Sequence, residues 1–374
     1  MKLFFAFGTR PEAIKMAPLI HEALKQKHEV IVALSGQHKE MVAPFIEFFE
    51  LKVDHDLEIM KPNQTLTDIT VNALTGYSRL IAEAKPDVVL VQGDTTTSFV
   101  AGLAAFYNGC KVAHVEAGLR TFNRTSPFPE EVNRSLLGRI ADFHFPPTVA
   151  SAENLKSENI TENLWVTGNT SIDALEYTLK KIADSPELQD QIQDSLPRLD
   201  PDKRTILVTT HRRENLGDGH REIFRAIKEM IERYPDIEIV FPVHLNPKVQ
   251  DLVREELGET SRVHLTAPLD YLSFVWIMNR SFLILTDSGG VQEEAPHLGK
   301  PVIVLRETTE RQEAIDAGCS FLVGTSKEKI LKKAYELLDN PDYYKKVSKI
   351  ANPFGDGHAS EKIIEALRDS TLKP

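Results

Sequence analysis

Short apolar runs recur along the chain, each followed by a longer amphipathic stretch, and that alternation admits few folds. In the first half the runs are KLFFAF (Lys2–Phe7), EVIVAL (Glu29–Leu34), DVVLVQ (Asp87–Gln92), KVAHVE (Lys111–Glu116) and FHFPP (Phe143–Pro147), closed by LWVTG (Leu164–Gly168). The series restarts with TILVTTH (Thr205–His211), IEIVFPVH (Ile237–His244), VHLTAP (Val263–Pro268), FLILTDSGG (Phe282–Gly290), PVIVLRE (Pro301–Glu307) and SFLVG (Ser320–Gly324). The pattern predicts α/β structure, with parallel strands covered by helices. Between the halves, SPELQDQIQDSLPRLDPDKR reads as the first helices of a second domain and a loop. At 374 residues the chain exceeds one ordinary core, so two domains of roughly 150–200 residues are expected.

Charge and cysteine content narrow the function classes. Lys and Arg total 44 against 55 Asp and Glu, a net charge of -11, which argues against general nucleic-acid binding. A local basic pocket for one phosphorylated ligand stays open. Cys110 and Cys319, far apart, make no disulfide framework and point to a cytosolic setting. The opening MKLFFAFGTRPE is too short for a secretory signal and reads as a buried first strand. No apolar stretch approaches the ~20 residues of a membrane span.

Ligands of open parallel sheets bind beyond the carboxyl ends of the strands, so the residues there carry the information. Arg10 and Lys15 follow the first run, Asp94 the third, and Glu116 the fourth. In the second half the corresponding positions hold His211, His244 and Asp287-Ser288-Gly289-Gly290. Taken singly, Asp94 reads as a helix cap, Glu116 as a satisfied charge, and the histidines as structural. Acid, base and cation at converging strand tips favour a binding cleft instead.

Ser288-Gly289-Gly290, between a strand and a helix, offers a hydroxyl and open amides to phosphate, although the same tripeptide is ordinary turn chemistry. Glu294 lies one helical turn on, placed to hold two ribose hydroxyls. Phe274, in an aromatic stretch, either stacks a base or belongs to the core. Arg10 supplies a planar fork for pyrophosphate, and Lys15 a point charge. CxxC, HExxH, GxxxxGK[ST] and GxGxxG are all absent, which leaves zinc-finger, zincin, P-loop and dinucleotide readings unsupported. The two GDGH tetrads, at Gly217 and Gly355, read as turns.

The blocks FGTRPEAIKMAPL, GDTTTS, HVEAGLRT, PFPEEVNR, TTHRREN, PVHLNP, LTDSGGVQEEAP and ETTERQEA, in this order, resemble the non-hydrolysing UDP-N-acetylglucosamine 2-epimerases. The resemblance implies a GT-B architecture, two Rossmann-like domains facing across a cleft, over 1–168 and 169–358, with a C-terminal helix at 359–374 returning to the first. It implies reversible interconversion of UDP-GlcNAc and UDP-ManNAc without NAD or metal, in a cytoplasmic homodimer. Residue by residue, it assigns essential acids to Asp94, Glu116 and Glu130 and a catalytic histidine to His211. Contacts to UDP fall on Arg10, His244, Phe274, Ser288, Gly289, Gly290, Glu294 and Arg311, with Lys15 and Arg134 in the same pocket. Gln37 and Arg213 lie where an allosteric UDP-GlcNAc would bind.

The chemistry is consistent with those residue types. The C2 hydrogen of the sugar is not next to a carbonyl, so simple deprotonation is implausible. The resemblance implies expulsion of UDP from C1 as a base removes the C2 proton, giving 2-acetamidoglucal, followed by re-addition. That scheme needs carboxylates about the ring and cations on the leaving diphosphate. A GT-B glycosyltransferase, a hydrolysing epimerase and a non-catalytic UDP-sugar sensor are the alternatives. Which carboxylate removes the proton and which returns it is not legible at this level.

Overall fold

The structure, a computed structural model, describes residues 1–37, 39–61, 63–211 and 217–371. The chain divides into two compact units, Met1–Ala174 with Phe354–Pro374, and Leu175–Pro353. Each is built on one six-stranded sheet. The first unit holds β1 (Lys2–Phe7), β2 (Glu29–Leu34), β3 (His55–Asp56), β4 (Val88–Gln92), β5 (Lys111–Val115) and β6 (Phe143–Phe145), in the order β3-β2-β1-β4-β5-β6. The second holds β7 (Arg204–Thr209), β8 (Ile237–Pro242), β9 (Val263–Thr266), β10 (Leu283–Thr286), β11 (Val302–Val304) and β12 (Ser320–Leu322), in the order β12-β11-β10-β7-β8-β9. The described strands pair in parallel throughout.

Both sheets are doubly wound. The strand order reverses between β1 and β4 in one unit and between β7 and β10 in the other, the positions at which sheets of this kind bind ligands. Strand burial follows from helices on both faces: Leu3 to Phe7 in β1 and Leu283 to Leu285 in β10 have no exposed surface. Helix Asp218–Arg233 shows the complementary pattern, burying Ile223, Phe224, Ile227, Met230 and Ile231 on one stripe. The last helix, Ala359–Thr371, packs against Arg10–Lys25. Its first amides, at Ala359 and Ser360, donate to Asp173 at 3.2 and 2.7 Å.

Several apolar runs outlast their strands. TILVTTH leaves the sheet after Thr209 and FLILTDSGG after Thr286, so His211 and Asp287 stand beyond the ladder. LWVTG is no full strand: Leu164 bridges His144, and Trp165 stacks on Phe145 with ring centroids 5.7 Å apart. Strand β3, two exposed polar residues, has no hydrophobic pattern to reveal it. The GDGH at Gly217 is a helix start rather than a turn, with Gly217 at φ +91° preceding Asp218–Arg233. Among the described residues, no helix is long and apolar enough to cross a membrane.

Candidate active site

In the first unit the loop after β1 is short and ordered by its own residues. Thr9 caps helix Arg10–Lys25, and Pro11 pre-sets the first turn. Arg10 is exposed and makes no ion pair among the described residues. The buried Glu12 carboxylate accepts from the Gly8 and Thr9 amides at 3.0 and 2.8 Å and from the Thr9, Thr95 and Ser98 hydroxyls at 2.8, 2.6 and 2.7 Å. Glu12 thereby ties the loop that carries Arg10 to the loop that carries Asp94.

Lys15, one turn further on, places its Nζ 2.5 Å from Oε1 of Glu116, which follows β5. Glu116 sits in the left-handed region at φ +61°, an uncommon conformation for a side chain of this size. The same Oε1 accepts from Asn169 Nδ2 at 2.9 Å, and Oε2 accepts from Gln92 Nε2. Asp94 meets Arg134 at 2.5 Å, and Arg134 also lies 3.3 Å from Glu131. Burial pushes the Asp94 carboxyl above its usual range; Arg134 and Lys15 pull it down, and Glu116 and Glu130 push it up. Glu130 opens helix Glu130–Ile140 half-buried, near enough to act on Asp94 through its charge. Its neighbour Glu131 is buried, accepting the Thr121 and Phe122 amides at 3.0 and 2.8 Å.

The second unit has its own constellation. His211 donates its backbone N–H to Asp287 and places Nδ1 3.1 Å from Oδ1 of that carboxylate, which has no exposed surface. Thr210 donates its hydroxyl to Asp287 at 2.9 Å and lies 3.0 Å from Nε2 of buried His220, whose pKa burial lowers. The neutral His220 donates to Thr210, which donates to Asp287, which fixes His211. The exposed His244 ring stacks beside His211 at a centroid distance of 6.2 Å.

Ser288 to Gly290 run into the short helix Gly289–Glu294. Arg311 Nε donates to Glu293 at 2.8 Å, bringing the guanidinium so close to Gly289 that a Cβ there would lie 3.0 Å from Cζ. Gly290 has open space where a Cβ would stand. Phe274 is partly buried and packs against the core that includes Val275 and Val291, and Glu294 is half-buried at the end of its helix. Of the second-ligand pair, Gln37 accepts from Thr97 Oγ1 at 3.1 Å, and Arg213 lies outside the described residues. Among the described residues no group of three or more His, Cys, Asp or Glu is arranged to hold a metal.

The structure therefore gathers Lys15, Asp94, Glu116 and Arg134, with Glu130 beside them, in one unit. In the other it gathers His211 with His244, and Gly289 with Arg311. Sequence reasoning passed over Gln92, Asn169 and Glu12 and gave Asp287 no role. Only Gln92 left a signal, as a polar residue ending an otherwise apolar run.

The family model for UDP-N-acetylglucosamine 2-epimerase matches residues 22–368. The enzyme of that name from Escherichia coli K12 is 49% identical over 374 residues, all of both chains. The chain belongs to the UDP-N-acetylglucosamine 2-epimerase family. The crystal structure of a UDP-GlcNAc 2-epimerase from Neisseria meningitidis bound to UDP-GlcNAc superposes with a TM-score of 0.92 at 46% identity, covering 99% of this chain and 100% of that one. A more distant member of the epimerase family, from Methanocaldococcus jannaschii in complex with UDP-GlcNAc and UDP, gives 0.78 at 35% identity over 99% and 100%. Arg10 and Lys15 precede the span of the family model, but the Escherichia coli epimerase aligns through them.

Proposed function

We propose that this chain interconverts UDP-GlcNAc and UDP-ManNAc by inverting C2 of the sugar through elimination and re-addition of UDP. The observation that carries the mechanism is the contrast between two neighbouring carboxylates. Glu116 accepts from Lys15, Asn169 and Gln92, whereas burial raises the proton affinity of Asp94. An acid held by three donors beside one whose burial favours its protonated form suits a reaction that removes a proton from one face and returns one to the other. The names of the relatives supply the substrate.

In the forward direction a carboxylate takes the C2 proton, the C2–H pair becomes the C1=C2 bond, and the C1–O bond breaks with its electrons on departing UDP. Re-addition reverses each transfer, with the proton arriving on the opposite face. Asp94, Glu116 and Glu130 are assigned to the proton transfers. Arg10, Lys15 and His211 are assigned to the charge that grows on the diphosphate. Ser288, Gly289, Gly290, Arg311, Arg134, His244, Phe274 and Glu294 are assigned to binding UDP.

The test is incubation of the pure protein with UDP-GlcNAc in D2O, without added NAD or metal, followed by proton NMR. The expected outcome is a mixture with UDP-ManNAc carrying deuterium at C2, unchanged by EDTA. Free ManNAc with UDP, or no turnover, would overturn the proposal. Epimerisation with full retention of C2 protium would overturn the exchanging elimination.

A further inference from the structure

Asn169 is only 2% exposed, and its side-chain amide is oriented by two bonds of opposite sense. Oδ1 accepts the Ser171 amide at 3.0 Å at the start of helix Thr170–Asp184, which leaves Nδ2 to donate to Glu116 at 2.9 Å. Its backbone N–H donates to Phe354 O at 2.6 Å, so the residue is also fixed to the segment entering the last helix. The flanking Gly168, at φ +89°, packs against Gly355 so closely that a Cβ would lie 3.0 Å from the Gly355 Cα. The donor is thus held rigidly by a part of the chain that carries none of the groups assigned above.

We infer that Asn169 is a positioning residue for the reaction, holding Glu116 ionised and in its left-handed backbone position while offering it no group that can take its proton. The inference rests on the functional reading above. Lys15 on the same oxygen supplies charge, but an ammonium on a flexible stem does not fix direction; the planar amide does. Among the described residues, the charged groups near Glu116 include Lys15 from helix Arg10–Lys25 and Asp94 after β4, with Arg134 and Glu130 beyond Asp94 on the helix Glu130–Ile140.

Two substitutions test this. Asn169→Asp keeps the shape but sets a second carboxylate against Glu116, so the pair must share a proton below some pH. The acid limb of kcat/KM is expected to move up by at least about one unit. Asn169→Ala is expected to lower kcat about ten-fold or more with little change in UDP affinity by calorimetry, and to add no further loss in a Glu116→Gln background. If Asn169→Ala fails to fold, the isosteric Asn169→Asp profile decides. An unshifted profile, or a loss by Asn169→Ala fully additive with Glu116→Gln, would reduce Asn169 to a structural role. Wild-type protein assayed in parallel separates the two proposals, because an inactive wild type overturns the functional reading, not this residue's role alone.

Discussion

Nδ1 of His211 lies 3.1 Å from Oδ1 of Asp287, a carboxylate with no solvent exposure that Thr210 also holds from behind. A buried acid in this position fixes the ring's tautomer and turns Nε2 outward, as in other acid–histidine pairs. Asp287→Asn is nearly isosteric but presents an amide N–H or a weaker acceptor to Nδ1. Epimerase activity is expected to fall by about 10²-fold, with UDP affinity nearly kept. Steady-state kinetics and UDP calorimetry on the variant check this; unchanged kcat would remove His211 from the chemistry.

Arg10, exposed beside the loop that Glu12 secures, is expected to grip the departing diphosphate. Arg10→Ala should lose about 2–4 kcal/mol of transition-state stabilisation, with kcat falling as well as affinity. Arg10→Lys should recover little, since an ammonium lacks the fork. A rise in KM alone would make Arg10 a simple binding residue.

Amide replacements of Asp94, Glu116 and Glu130 should each cost at least ~10²-fold in epimerisation. They should not fail alike. A variant defective in returning the proton should slowly release 2-acetamidoglucal and UDP, and one lacking the first base should release neither. Chromatography after long incubation distinguishes them, and near-normal activity in all three would place the chemistry elsewhere.

Gly289→Ala should weaken UDP binding several-fold, because the new methyl meets the Arg311 guanidinium that Glu293 holds in place. Thermal stability should change little, since the clash is with the end of a side chain. Equal affinities for wild type and variant in calorimetry would show that Arg311 does not contact the ligand.

Burial pushes the His114 ring down to about 3 and the His144 ring down to about 4. Both stay neutral in the folded chain near pH 5, where the unfolded chain binds protons at its ordinary value near 6.5. The unfolded state therefore binds more protons, and stability should fall as pH drops below about 6.5, by up to about 1.4 kcal/mol per unit for each ring. Urea unfolding at pH 7.5 and 5.0 measures the drop. It should shrink in His144→Gln, and an identical drop there would assign it to other groups.

What the sequence determined by itself is what short-range pattern encodes. Alternating apolar runs and amphipathic stretches specify buried parallel strands and their helices, and the loop blocks specify the epimerase family. Arg10, Asp94, Glu116, His211 and Ser288 stand out as candidates because strand ends are recognisable locally. What only the tertiary structure decided is which of those ends meet. Lys15 pairs with Glu116 across 101 positions, Asp287 with His211 across 76, and Asn169 with Glu116 across 53. Hydrophobic periodicity reports which face of an element is buried, and it is silent on which strands become neighbours. The doubly wound order, with β4 beside β1 and β10 beside β7, brings those loops together, and the company that order provides sets the proton affinity of Asp94.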